Sequence, residues 1–330
     1  MKELLAGMLI LLLTGSQAAQ PPSAALSVQW HEGAQDCAAA PSPSPLQVHR
    51  HAKGTFLLRQ NPCASFEAPF LYLLIGRERA LLIDSGAVAD PRHMPLAATV
   101  MGLLPETNGA KLPLVVAHTH SHRDHREGDV QFAGLSEVTV LPTDVASVRR
   151  YFGMDPWPDG IGHIDLGHRM VQVLATPGHK DNHVVFFDEA TGLLFSGDFL
   201  LPGRLTVQDS DAFERSAQRL ASFVRDRPVT HVLGGHIELS ADGALYPMGA
   251  THHPNERRLE LGKAEVLALP DAVRRFNGFY SRYPQFAITH PKRNLTVVGA
   301  GAVLVLGAFA WWLVRLVRRR RSRRLTQPVG

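Results

Sequence analysis

Four residues that bind metal ions well stand within one short stretch, His118–Arg126. They are His120, His122, Asp124 and His125, in the order H-x-H-x-D-H. Imidazole and carboxylate are the donors that zinc and related first-row divalent metals prefer. The spacing has a geometric consequence. Residues two apart in an extended segment point the same way, so His120 and His122 can grip one ion together. Asp124 and His125 follow a turn and can face a second ion. An apolar run, Leu112–Ala117, precedes the stretch and reads as a buried strand; Glu127 and Gly128 behind it read as a loop.

The stretch resembles the metal-binding loop of the metallo-β-lactamase superfamily. Four further pieces carry the resemblance over roughly residues 65 to 240. Leu82-Ile-Asp84-Ser-Gly86 is similar to that family's L-I-D-T-G, Thr176-Pro-Gly-His179 to its T-P-G-H, and Phe195-Ser-Gly-Asp198 to its S-G-D, while Gly234-Gly-His236 supplies a last histidine. The resemblance implies that His120, His122 and His179 hold one metal, that Asp124, His125 and His236 hold the other, and that Asp198 bridges both. It also implies that Asp84 hydrogen-bonds a ligand histidine and fixes its tautomer. Asp124 and Asp84 are therefore the catalytic candidates. His118 and His183 are expected to hydrogen-bond or pack rather than ligate.

These residues need strands to position them. Phe70–Ile75, a turn at Arg77–Arg79 and Ala80–Ile83 read as a hairpin whose end delivers Asp84. Val184–Phe187, a turn and Leu193–Phe195 repeat that plan and deliver Asp198. Two copies of one unit point to an internally pseudo-symmetric domain. Met94–Leu104 reads as a helix, Val138–Leu141 and Val171–Leu174 as strands. Asp211–Val224 reads as a helix opened by a capping box of Asp211 and Glu214, with Phe213, Ala217, Leu220 and Val224 as its apolar stripe. Pro228 closes it, and Val229–Leu233 is the strand before His236. Strands alternating with helices give an α/β fold; the resemblance implies an αβ/βα sandwich. Glu256–Val273 reads as mostly helical, interrupted near Pro270, with His252, His253, Arg257 and Arg258 on a solvated helix end or reaching the cleft.

Both ends of the chain carry membrane signals. Lys2, the apolar run Leu4–Leu13 and small residues through Ala19 form a secretory signal peptide, residues 1–19, with an uncleaved anchor as the alternative. An N-terminal arm follows, residues 20–64, rich in Pro, Ala and Ser over residues 21–48. The only two cysteines, Cys37 and Cys63, fall in it. Export into an oxidising compartment favours pairing them. Neither lies near the candidate ligands, unlike the cysteine ligand of one lactamase subclass. After a catalytic region, 65–240, and a C-terminal extension, 241–294, the uncharged segment Leu295–Val314 is long enough for a transmembrane helix, with Trp311 and Trp312 at its interfacial end. Seven arginines in the tail, 315–330, against Lys292 and Arg293 before the helix, place the tail in the cytoplasm and the body outside, at the plasma (inner) membrane and periplasmic in a Gram-negative source.

Without those seven arginines the formal charge of +4 becomes −3, so the basic total is no sign of nucleic-acid binding. The partners expected are a small-molecule substrate and the membrane. The cofactor implied by the resemblance is two divalent ions, zinc first, iron or manganese as alternatives. Two such cations lower the pKa of a shared water toward neutrality and supply hydroxide for attack on a carbonyl or phosphoryl centre. With Asp198 present, the set resembles glyoxalase II and lactonase-type hydrolases more than lactamases. The short C-terminal part shows no basic cluster of the glutathione-binding kind. The expected activity is hydrolysis of an ester, lactone, thioester or lactam; the alternatives are a mononuclear iron enzyme similar to the persulfide dioxygenases, and a metal-binding protein without turnover.

Overall fold

The computed structural model describes residues 26, 28–39, 44–107 and 109–325. The signal-peptide reading of residues 1–19 lies outside them. The first sheet opens with β1 (Leu46–Ala52), β2 (Thr55–Gln60), β3 (Phe70–Ile75) and β4 (Ala80–Ile83). After α1 (Leu96–Leu103) and a small hairpin, β5 (Glu106–Thr107) and β6 (Ala110–Lys111), it is completed by β7 (Leu114–Ala117) and β8 (Val138–Val140). Then come α2 (Val145–Phe152), β9 (Ile161–Asp165), β10 (Met170–Ala175), β11 (Val184–Asp188), β12 (Leu193–Gly197), β13 (Arg204–Thr206), α3 (Ser210–Val224) and β14 (His231–Gly234). The described residues end with β15 (Glu260–Leu261), α4 (Lys263–Arg274), β16 (Tyr280–Arg282), β17 (Ala287–Thr289) and α5 (Pro291–Leu325).

Strand order is β1-β2-β3-β4-β7-β8 in one sheet and β15-β14-β12-β11-β10-β9 in the other; β13-β17-β16 form a third. The alternation of side chains along a strand builds the layers. Phe70, Tyr72 and Leu74 of β3 face Val173, Phe186 and Phe195 of the second sheet. Leu71 and Leu73 face the other way, into a cluster with Val100 of α1. Val185, Phe187 and Leu194 pack on α3 and α4 through Leu220, Val224 and Leu269. The result is an αβ/βα sandwich. Its halves repeat one plan: β3-β4 is an antiparallel hairpin followed, across α1, by the parallel partner β7, and β11-β12 is another, followed across α3 by β14. The Tyr72 hydroxyl joins the halves, donating to the Gly234 carbonyl at 2.5 Å.

Three local expectations change. Asp209, not Asp211, caps α3: its carboxylate accepts from Ala212 N–H at 2.9 Å, and Glu214 turns instead to Gln218. The sequence offers several acids there, and only the chain's path decides which stands outside the first turn. Glu127–Gln131 is a 3-10 helix rather than an open loop. α4 begins only at Lys263 and runs unbroken through Pro270. An internal proline costs about 3 kcal/mol, here offset by burial of Pro270 with Val266 and Leu269.

Cys37 and Cys63 are disulfide-bonded, with Cα atoms 5.4 Å apart. The bond does more than close a loop. The arm beside Cys37 laces the 250s segment: Ala34 N–H donates to the Thr251 carbonyl at 3.0 Å, and His253 N–H to the Glu32 carbonyl at 2.7 Å. Unreduced protein should therefore show the mass of a closed pair, lower by two hydrogens. Reduction should lower the melting temperature, since such bonds contribute on the order of 2–4 kcal/mol. Two alkylatable thiols in the unreduced protein would contradict the pairing.

α5 contains a stretch, Pro291–Leu316, of 26 residues that is apolar and long enough to cross a membrane, and none of its apolar window is buried against the domain. At 1.5 Å per residue it measures about 39 Å, against about 30 Å of hydrocarbon.

Candidate metal centre

The candidate ligands sit in loops and turns that follow strand ends. β7 runs into Thr119 and His120; β10 precedes the Thr176–His179 turn; β12 ends beside Asp198; β14 ends beside His236. The 3-10 turn Arg123–His125 swings Asp124 and His125 away from His120 and His122. Two clusters result. His120, His122, His179 and Asp198 present ligand atoms within 4.8 Å of one another, and so do Asp124, His125, Asp198 and His236. Asp198 belongs to both. Its Oδ2 lies 3.8 Å from His120 Nε2 and 3.5 Å from His179 Nε2. Its Oδ1 lies 3.4 Å from both His125 Nε2 and His236 Nε2.

The outer nitrogens of three rings are already committed. A carbonyl or carboxylate can only accept, so the proton must be on the ring. His179 Nδ1 donates to the Thr206 carbonyl at 2.8 Å, His236 Nδ1 to the Glu67 carbonyl at 2.7 Å, and His125 Nδ1 to Asp84 Oδ2 at 2.8 Å. The Nε2 atoms of these rings point inward, where a neutral imidazole offers a lone pair. His125 Nε2 and His236 Nε2 are 3.2 Å apart, and His179 Nε2 is 3.0 Å from His122 Nδ1. Facing lone pairs repel. Two nitrogens each 2.0–2.1 Å from one zinc ion at the tetrahedral angle lie about 3.3 Å apart, so the spacing suits a shared cation. Asp198 Oδ1 is buried with no hydrogen-bond partner among the described residues, as a metal-facing oxygen should be. The residues fit two divalent ions.

The electrostatics agree. Burial and the neighbouring His125 and His179 rings hold His120 well below its ordinary value. Burial and His179 push His122 down to about 4. His125 and His236 move oppositely. Burial works against their charge, but Asp198 with Asp84 and Asp124 outweighs it at His125, and Asp198 with Asp124 lifts His236 to about 9. Asp124 and Asp198 resist the pull of burial and stay far below the usual carboxylate range, chiefly through His125. The second cluster thus demands positive charge.

Asp84 sits at φ +65°, a left-handed conformation that aspartate tolerates better than most residues. Besides His125 it accepts from Thr119, N–H at 2.7 Å and hydroxyl at 2.9 Å. Asp84→Asn would offer an amide N–H to His125 Nδ1 and favour the wrong tautomer. Losing such outer partners typically costs 10–100-fold in metal affinity. Competitive chelator titration of the folded variant should show about that loss for one ion; unchanged affinity would remove Asp84 from the site.

His118 and His183 stay outside both clusters. His118 Nε2 pairs with Asp129 at 2.8 Å; His183 bonds Thr176 at 2.7 Å and stacks on His120 with ring centroids 5.1 Å apart. Sequence reasoning missed Gly235, where an added Cβ would meet Asp198 Oδ1 at 2.6 Å. It also missed Thr119 and the carbonyls of Glu67 and Thr206. The glycine pair and the H-T-H triplet carried a signal for two of these; a backbone carbonyl leaves none.

Beside His236 a narrow cleft is walled by Phe66, Glu67, Arg204, Glu238, Tyr246 and Met248. Arg204 pairs with Glu238 at 3.1 Å and donates to the Tyr246 carbonyl at 2.5 Å. His253 is buried in this wall, not on a helix end: it stacks on Tyr246 at 4.5 Å and meets Glu256 at 3.0 Å. Arg257 donates to the Pro284 carbonyl and Arg258 pairs with Glu260, so neither reaches the cleft.

A family model described as "Metallo-beta-lactamase superfamily" matches residues 66–272. Acyl-coenzyme A thioesterase MBLAC2 of Gallus gallus is 26% identical over 235 residues, 60% of this chain and 83% of that protein. Hydroxyacylglutathione hydrolase of Chromohalobacter salexigens is 28% identical over 208 residues, 62% of this chain and 75% of that protein. The metallo-beta-lactamase from Pontibacter korlensis aligns in structure with a TM-score of 0.47 at 17% identity, covering 70% of this chain and all of that one.

Proposed function

The chain belongs to the metallo-β-lactamase superfamily, and on that premise we propose that it is a membrane-anchored, exported hydrolase of acyl thioesters working with two divalent cations, zinc first. The observation that carries the reading is the pair of four-donor clusters joined by Asp198. A bound pair supplies a water ionised near neutral pH and a Lewis acid for a carbonyl oxygen. The chain's own residues do the holding. Asp84, Thr206 and Glu67 set the tautomers of His125, His179 and His236. Asp124 Oδ2, 3.3 Å from both His125 Nε2 and His236 Nε2, adds negative charge to the second cluster. Asp84 touches no reacting atom and is a positioning residue.

Among ester, lactone, thioester and lactam, the thioester is favoured because a thioesterase and a hydroxyacylglutathione hydrolase are among the relatives. Water adds to the acyl carbon, the C–S bond breaks, and the products are a carboxylic acid and a thiol. The test is a panel of acyl thioesters, an aryl ester, a lactone and a β-lactam with the full-length, zinc-loaded chain. Thiol release that a chelator abolishes is expected; turnover of the lactam alone would overturn the substrate class. Export is supported by the tail arginines and the Cys37–Cys63 bond. A reporter active only in the cytoplasm should work fused after Gly330 and fail fused after Ala287. Activity at Ala287 would put the site inside the cell.

A further inference from the structure

α5 leaves the domain next to the metal centre. β17 ends at Thr289, and α5 begins at Pro291. β17 pairs with β13, placing Thr206 opposite Thr289 and Arg204 opposite Ala287. β13 is the strand that meets the site: the Thr206 carbonyl holds His179, and Arg204 lines the cleft. Paired strands lie about 4.8 Å apart. The start of the membrane-length helix is therefore about one strand spacing from a residue bonded to a ligand histidine.

The loop before β16, with the first residue of that strand, stands on the other side of that start. Phe279 and Tyr280 are 43% and 46% exposed there. Their backbone is tied to the base of α5. The Phe279 carbonyl accepts from His290 N–H at 3.3 Å and from Asn294 Nδ2 at 3.0 Å, and the Gly278 carbonyl accepts from Arg293 at 3.4 Å. Two exposed aromatic rings beside Lys292 and Arg293, at the first turn of an apolar helix, match the composition of a membrane–water interface. At the cleft mouth, Phe66 and Met248 are also exposed, at 43% and 76%.

Resting on the membrane-anchored hydrolase reading, we propose that Phe279 and Tyr280 sit in the headgroup region of the bilayer that α5 crosses, so that the metal centre faces that bilayer and takes long-chain acyl thioesters from it. The bilayer is the partner of the β16 loop. The acyl chain leaves the lipid along the apolar lip at Phe66 and Met248, and the thioester carbonyl reaches the clusters beside His236.

The test uses the full chain in phosphatidylcholine–phosphatidylglycerol vesicles. Both native cysteines are bonded, so Phe279→Cys adds the one free thiol for a nitroxide label, and Ile161→Cys labels an exposed site on β9. The label at 279 should collide more with oxygen than with a water-soluble nickel chelate, and the label at 161 the reverse. Equal nickel access at both sites overturns the membrane contact. In the second arm, Phe279→Ser with Tyr280→Ser should raise KM for a vesicle-borne long-chain thioester about tenfold, by removing two buried apolar contacts with lipid, and leave kcat/KM for a short water-soluble thioester unchanged. Equal loss on both substrates overturns the delivery route. A wild-type chain that hydrolyses neither overturns the hydrolase reading, while the labels judge the membrane contact independently.

Discussion

Asp198→Ala is expected to weaken both metal subsites at once, because the two oxygens of this one carboxylate face different clusters. His120→Ala, by contrast, should empty mainly the subsite of His122 and His179. Metal analysis of full-length protein purified without chelator should find close to two ions per wild-type chain, fewer in both positions for Asp198→Ala, and about one for His120→Ala. Hydrolysis by Asp198→Ala should fall about 10³-fold, since the cations' contribution is worth several kcal/mol and each 1.36 kcal/mol is tenfold. A folded wild-type chain with no affinity for divalent metal would sink the functional reading entirely. Two tightly held ions in Asp198→Ala would refute the bridging role.

Glu256→Ala should be strongly destabilising although Glu256 belongs to neither donor cluster. Arg59 is 1% exposed and forms a forked pair with Glu256, both bonds at 2.5 Å. Its guanidinium also stacks over Phe70 and donates to the His31 carbonyl. Removing the carboxylate strands a buried charge, a loss of about 3–5 kcal/mol. In a domain of this size 1 kcal/mol shifts the melting temperature by about 2–4 °C, so a drop of roughly 10 °C is expected. Arg59→Met combined with Glu256→Leu should recover most of it, because apolar residues can replace a buried ion pair without that penalty. A Glu256→Ala melting curve matching wild type would show that water reaches Arg59. Glu256 also receives His253, whose ring supports the cleft wall on Tyr246, so KM should change with stability.

The sequence by itself marked the candidate donors. H-x-H-x-D-H, T-P-G-H, S-G-D and G-G-H are local chemical patterns at strand ends, and strand hydrophobicity is local too: β3 and β4 lie where their apolar runs are. The transmembrane-length helix was legible for the same reason, since twenty uncharged residues need no tertiary context to be recognised. The structure alone decided what depends on the path of the chain through space. It chose Asp209 over Asp211 as the α3 cap and carried α4 through Pro270. It turned His253 from a surface residue into a buried wall of the cleft and paired Arg59 with a glutamate 197 residues away. It also made two backbone carbonyls, of Glu67 and Thr206, the groups that aim His236 and His179. Every residue carries such a carbonyl, so no pattern marks the ones that matter. Their roles follow from which strands and loops the packed sandwich brings within hydrogen-bond reach of the candidate donor rings.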